Sequence, residues 1–321
     1  MRGDLALAAF SRLIYTDAVA VARNGSPTMI EVKQLHPLFV GEVSGVDLRK
    51  PLDPDTRDAL VAAIDRHAVL VFRDQDLDDA QQMEFSRSFG ELVTTSLLLR
   101  PGYKPRLDPR MTDISNLDEE NRLLEADDRR RLYALANRFW HTDNAFRRIP
   151  AKYSMLSARA IPPEGGETEF ADMRAAYDAL PEKKKREVEG LIAMHSIVYS
   201  REVIGFTDYS REEREGLPSA PHPMVRTHPG SGRKTLYLAS YAHDIRGMPT
   251  PEARMLLYDL IEHATQRPFV YTHAWRIGDL VMWDDRCTMH RARDYDRSYT
   301  RDLRRTAVME EAPTVAEAQV A

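Results

Sequence analysis

His141-Thr142-Asp143 is the part of the chain most suited to metal chemistry. In a strand, residues i and i+2 point to one face, so this histidine and aspartate would converge on one ion. A third ligand from a distant strand would complete a two-histidine-one-carboxylate set. Such a set occupies one face of an octahedral iron and leaves positions open for a cosubstrate and oxygen. The bare pattern is cheap, however. With 10 His and 50 Asp+Glu in 321 residues, chance supplies roughly 1.6 His-x-acid triplets. The chain has one.

Its company is more informative. His290 follows Trp283-Asp284-Asp285-Arg286-Cys287-Thr288-Met289, directly beyond an apolar strand. Arg301 and Arg305 come next, with Leu303 between them. If Tyr299–Ala307 is a strand, these three share a face, and the two arginines stand about 13 Å apart. Guanidinium groups turned into a β core need anions, because buried unpaired charge is costly. One would take the far carboxylate of 2-oxoglutarate and the other an anionic substrate. The competing reading makes them surface arginines paired with Asp294, Asp296 or Asp302, and this segment alone leaves both open. His228 sits in a His-Pro-Gly-Ser-Gly turn and reads first as a turn residue. His195, His243, His263 and His273 lack acids at ligand spacing and read as hydrogen-bonded structural histidines. Cys287 reads as a small buried hydrophobe, Trp140 and Trp283 as packing beside the site, and Lys183–Arg186 as a solvated helix face.

The elements that must position these residues are partly legible. Val69–Phe72 is a short β-branched and aromatic run and predicts a buried strand. Helices flank it at Thr56–His67, after the start signal Asp53-Pro54-Asp55, and at Asp78–Phe89, ended by Gly90. Residues 91–138 carry the least periodicity and a dense charge run from Glu125 to Arg131. They are either a lid over a site or a solvated loop, and composition favours the loop. From residue 139 strands dominate, at Thr235–Ala239, Phe269–Trp275 and Leu280–Trp283, the last after a Gly278-Asp279 turn. One helix starts at Thr250 as N-cap with Pro251 at its first position, and places Met255, Leu256, Leu260 and Ile261 on one face. Another covers Met173–Leu191, weakened by Pro181. Many strands with helices outside predict a mainly β protein with flanking helices around a double-sheet core.

Composition bounds the rest. Hydrophobic content of 43% and charged content of 30% are ordinary for a globular chain. A net charge of −5 speaks against a nucleic-acid-coating surface. No run of about 18 apolar residues predicts a membrane span. The single cysteine suits a reducing, cytoplasmic compartment. The first 28 residues are read as a poorly ordered extension, because Arg12, Asp17 and Arg23 break up any signal-like run, so the functional part begins at Met29. One domain over 29–311 is expected, with a frayed tail over 312–321.

From about Leu35 to Glu310 the chain resembles the taurine/2,4-dichlorophenoxyacetate (TauD/TfdA) dioxygenases. The resemblance is carried by Trp140-His141-Thr142-Asp143, Tyr153–Ala158, Pro163–Phe170, Asp172–Leu180, Arg226–Lys234 and Gly278–Asp284. It implies a jelly-roll (double-stranded β-helix, cupin-like) core and an Fe(II)- and 2-oxoglutarate-dependent oxygenase that consumes O2 and releases succinate and CO2. The family's iron ligands fall on His141, Asp143 and His290. Its 2-oxoglutarate contacts fall on Thr168 and Arg301, and its substrate contacts on Arg305 and Asn137. Arg304 would face the other way. Gly165 and Gly166 would let their strand approach closely. The implied substrate is a small anion with an apolar body, foremost an aryloxyalkanoate cleaved to a phenol and glyoxylate. A sulfonate, an alkyl sulfate or another carboxylic acid is the alternative, and a non-catalytic binding module the remote one. Relatives imply a homo-oligomer. Two departures stand out: Asp285 where the family usually has Asn, and Leu98 where phenoxyacetate-cleaving members have a lysine.

Overall fold

The computed structural model describes residues 30–99 and 104–316, together with the backbone of Thr16–Ala18. The side chains of Leu97 and Leu98 are outside this description, as is Arg100, so the Leu98 departure has no structural counterpart here. Within the N-terminal extension, Thr16–Ala18 forms an edge strand against Glu31–Lys33; the rest of 1–28 lies outside the described residues.

An eight-stranded sheet forms the main wall. Its order is Thr16–Ala18, Glu31–Gln34, Gly41–Ser44, Val69–Phe72, Leu280–Asp284, Ala151–Ala160, Asp302–Met309 and Thr112–Ser115. All neighbours are antiparallel except Gly41–Ser44 and Val69–Phe72. The apolar run Val69–Phe72 is central because both of its faces are buried. Leu70 and Phe72 pack against the helices Pro54–His67 and Asp79–Arg87, through Leu60, Ile64 and Phe85, with Phe89 just past the second helix in the same cluster. Val69 and Val71 turn inward to Phe170, Trp283, Leu156 and Leu303. The period of two in side-chain direction thus sorts one strand between two cores. Full burial of each such side chain stabilises by about 1.5–3 kcal/mol.

Phe170 belongs to the opposing sheet, ordered Val270–His273, Thr168–Asp172, Thr288–Ala292. Two stacked antiparallel walls with helices outside are the jelly-roll core the sequence reading anticipated. Behind the smaller wall, Ala171 and Met289 meet the helices Met173–Asp178 and Thr250–Ala264.

Several local expectations need correction. Pro249, not Thr250, caps the late helix, and Met255 points to solvent while Leu257 takes its place inside. The Met173–Leu191 segment is two helices, Met173–Asp178 and Glu182–Val188, because Pro181 cannot continue the first. The described part of residues 91–138 is not a solvated loop. Thr112–Ser115 pairs with the main sheet, and half-buried ion pairs from Arg106 to Asp113 (2.7 Å) and Asp302 (2.9 Å) pin the segment. The tail past Glu311 is packed at its beginning, where Val315 is buried and Thr314 reaches His222 at 2.5 Å.

Candidate active site

His141 and His290 sit opposite each other in an isolated antiparallel bridge. Each backbone N–H donates to the other's carbonyl, at 2.9 and 2.8 Å, so the two rings are clamped with centroids 4.2 Å apart. The expected strand through His141-Thr142-Asp143 is absent: His141 is a single bridge residue and Asp143 begins a turn. Convergence therefore comes from this clamp and from contacts to the turn. The Thr142 hydroxyl reaches the carbonyls of Leu238 (2.9 Å) and Thr288 (3.0 Å). The Asp143 N–H donates to Asp285 (3.1 Å).

The result is a compact ligand set. His141 Nε2 lies 4.0 Å from Asp143 Oδ1, and His290 Nε2 lies 3.8 Å from Asp143 Oδ2. The three ligand atoms lie within 4.8 Å of one another and all three residues are buried. His141 Nδ1 bonds the Phe139 carbonyl at 2.8 Å, which fixes the tautomer and leaves Nε2 with a free lone pair. Burial drives the His141 pKa down to about 4 and that of His290 well below its ordinary value, so both rings are neutral at pH 7. Burial would raise the Asp143 carboxyl, but Arg305 and the two histidines hold it below the ordinary range. Two neutral imidazoles with unspent Nε2 lone pairs, converging with a carboxylate that Arg305 and the Ser154 hydroxyl (3.0 Å) hold in place, fit a divalent iron.

Asp285, the departure from the family's asparagine, lies behind this set. Burial and the neighbouring Asp143 carboxylate push its pKa well up. It accepts from Trp283 Nε1 (3.0 Å) and the Ser154 hydroxyl (2.7 Å) as well as from Asp143 N–H. A protonated carboxyl is neutral and can both donate and accept, as an amide does.

All seven residues singled out from the sequence line one cavity of about 760 Å³. Arg301 is buried; its Nη2 donates to the Gly166 carbonyl (3.1 Å) and its Nε has no partner. Among the described residues no carboxylate is paired with it, and burial pushes its pKa down to about 10. Thr168 Oγ1 accepts from Trp275 Nε1 at 3.0 Å, which leaves its own O–H available to a ligand. Gly166 makes room for this arginine: a Cβ there would lie 3.2 Å from Arg301 Nε, and one on Gly165 only 2.5 Å from the Asp294 carbonyl. Both glycines have positive φ. Arg305 pairs with Asp143. Arg304 faces away, to Asp79 (2.7 Å) and Asp302 (3.0 Å). Asn137 Oδ1 accepts from Arg201 at 3.0 Å.

Other expectations divide. His228 is more than a turn residue, since it is buried and bonds Asp284 at 2.9 Å. His195 is buried with neither ring nitrogen hydrogen-bonded among the described residues, so it is not the satisfied histidine expected. His243, His263 and His273 do bond, to Ser219, Ala176 and Asp279. Arg201, Tyr133, Tyr241 and Asn144, all lining the cavity, carry no signal in the sequence. They come from separate segments and only folding gathers them.

A buried two-histidine-one-carboxylate set in a jelly roll, with an unpaired arginine in the same cavity, defines a class of metal-dependent oxygenase. The chain belongs to the TauD/TfdA family: the model for "Taurine catabolism dioxygenase TauD, TfdA family" matches residues 31–307. A 2,4-dichlorophenoxyacetate dioxygenase of Burkholderia sp. (strain RASC), dependent on alpha-ketoglutarate, is 46% identical over 87% of this chain and 94% of its own. An (S)-phenoxypropionate/alpha-ketoglutarate-dioxygenase of Sphingobium herbicidovorans is 37% identical over 84% of this chain and 92% of its own. Among solved structures, AAD-2 in complex with Mn(II) and N-oxalylglycine superposes with a TM-score of 0.82 at 50% identity, covering 90% of this chain and 99% of that one. The chain is a 2-oxoglutarate-dependent dioxygenase. Among the described residues no helix is long and apolar enough to cross a membrane.

Proposed function

We propose that this enzyme hydroxylates an aryloxyalkanoate of the 2,4-dichlorophenoxyacetate type next to its ether oxygen, so that the product collapses to a phenol and glyoxylate. The carrying observation is that the His141, Asp143 and His290 set opens onto the same cavity as Arg301 and Arg305. His141, Asp143 and His290 would hold Fe(II), and with 2-oxoglutarate and O2 the iron supplies the oxidising equivalent. Arg301 and the Thr168 hydroxyl hold the far carboxylate of 2-oxoglutarate, the arginine through charge and the threonine through its free O–H. Arg305 takes the substrate carboxylate and Asn137 lines the substrate's path. Their task is positioning: they would hold a substrate C–H toward the ligand set, where bound iron would supply the oxidation.

The named activities of the two relatives support the aryloxy acid. The Mn(II) and N-oxalylglycine in AAD-2 support the cofactors, since N-oxalylglycine is 2-oxoglutarate with NH in place of CH2. The single, buried Cys287 supports a cytoplasmic setting, and the family resemblance supports a homo-oligomer, to be checked by light scattering on the purified protein.

The deciding experiment is anaerobic addition of Fe(II) and 2-oxoglutarate, expected to give a weak visible charge-transfer band. A succinate-release screen against phenoxyacetate, taurine and an alkyl sulfate follows. No band from pure protein sinks the oxygenase reading, and turnover of taurine or the sulfate alone sinks the aryloxy one.

A further inference from the structure

Of the described arginines lining the cavity, two are buried, Arg201 and Arg301. Arg301 is the residue given to the 2-oxoglutarate carboxylate above. Arg201 has no assigned partner. It stands in the last turn of the short helix Ile197–Glu202, whose first turn Ser196 caps through the Tyr199 N–H at 3.2 Å. Its guanidinium carbon lies 4.5 Å from the Tyr133 ring and 5.9 Å from the Tyr241 ring. Nη2 donates to Asn137 Oδ1 (3.0 Å) and Nη1 to Ser200 Oγ (3.1 Å), while buried Nε has no partner.

All these partners are neutral. Several other cavity arginines are treated differently: Arg305 meets Asp143, Arg106 meets Asp113 and Asp302, Arg130 meets Asp128, and Arg129 meets Asp208. Among the described residues no carboxylate is paired with Arg201. Aromatic rings hold such a group through cation–π attraction but do not neutralise it. A buried guanidinium with a spare donor is costly unless an anion arrives, so the demand falls on the ligand.

The place is close to the chemistry. The Tyr241 ring lies 5.8 Å from that of His141 as well as beside Arg201, so one aromatic ring separates this cation from the metal-binding set. Tyr133, Phe206, Ile197 and Phe146 add apolar wall around it.

We propose that Arg201 is a specificity-determining residue that binds a second anionic group on the substrate, so that the preferred substrates are aryloxy acids bearing a further acidic group on the ring. The substrate class rests on the aryloxy reading above; the anion site does not.

The test compares binding of phenoxyacetate and 4-carboxyphenoxyacetate, with the 3- and 2-carboxy isomers, to the whole protein loaded anaerobically with Fe(II) and 2-oxoglutarate. Calorimetry should show at least one diacid bound about tenfold more tightly than the monoacid, the worth of one charge-assisted hydrogen bond. Arg201→Gln should bring that ratio to near one, and Arg201→Lys should keep part of it. A wild-type protein that binds no diacid better than phenoxyacetate overturns the proposal, as does Arg201→Gln weakening monoacid and diacid by the same factor. If the glutamine variant loses its charge-transfer band and hence its fold, the wild-type isomer series and the lysine variant decide. If no aryloxy acid binds, the aryloxy reading fails separately. Isophthalate should then still outbind benzoate in wild type but not in the variant, and equal binding of the two overturns the anion site.

Discussion

Two groups in this protein have nearly the same ingredients and opposite fates. His141, Asp143 and His290 form one; His228, Asp284 and Cys287 form the other, also buried and with ligand atoms equally close. The difference is satisfaction. Asp284 accepts from Arg286 N–H (2.9 Å), Nε (2.9 Å) and Nη2 (2.5 Å) and from His228 Nε2 (2.9 Å). His228 spends its other nitrogen on Ser231 at 2.9 Å. A metal there would have to break a closed network beside a fixed guanidinium. In the first group both histidines keep a nitrogen turned toward Asp143, and the cation paired with that aspartate, Arg305, comes from the cavity wall. Residue types and proximity are common to both groups; unspent imidazole lone pairs set the proposed metal centre apart.

The contrast can be broken most sharply at its two aspartates. Asp143→Ala should reduce iron-dependent succinate release to background, because two protein ligands remain; near-normal turnover would refute the triad. Asp284→Ala should instead cost about 3–5 kcal/mol of stability by stranding Arg286, measured by denaturant unfolding, while the folded fraction still binds iron. Loss of iron stoichiometry in that folded fraction would make the second group a ligand site after all.

Within the cavity, Arg301→Ala should raise the apparent KM for 2-oxoglutarate on the order of 100-fold, since truncating one partner of a buried charge pair costs about 2–5 kcal/mol. Arg305→Ala should do the same for the substrate. Steady-state kinetics showing both variants alike would undo this division of labour.

Acid should separate the two groups as well. The folded-state pKa values of His141 and His290 lie below 6.5. The unfolded chain therefore binds the extra protons, and their contribution is lost as pH falls from 6.5 toward 4. For Asp284, burial is outweighed by Arg286 and His228, which hold the carboxyl well below 3.8. Its contribution persists above that value and is lost only below it. Metal-free protein should thus soften at the triad first, seen as faster amide exchange around His141 and His290 at pH 5 with the Asp284 turn still protected. The smallest effect is expected at Cys287, where Cys287→Ala should cost about 1 kcal/mol and change neither iron binding nor turnover.

The Val69–Phe72 strand and the capped helix after Asp53 were legible because each is a local matter of pattern or cap, whereas Met173–Leu191 was read as one helix although it breaks before Pro181. The expected strand at His141–Asp143 and the solvated loop at 91–138 were misread because long-range pairing decides them: a bridge to His290 in one case, ion pairs to Asp302 in the other.

By itself the sequence determined the chemistry available to this protein, a histidine and aspartate two apart, a second histidine far along the chain, and arginines spaced to face one way. It also carried enough motifs in order to mark the family. Only the tertiary structure decided which of two look-alike groups keeps imidazole nitrogens unspent, that Asp285 sits where a neutral acid can replace an amide, and that among the described residues Arg201 is buried without an anionic partner. The physical reason is common to all three: hydrogen-bond satisfaction and desolvation belong to a residue's surroundings, and those surroundings come from segments far apart in the chain.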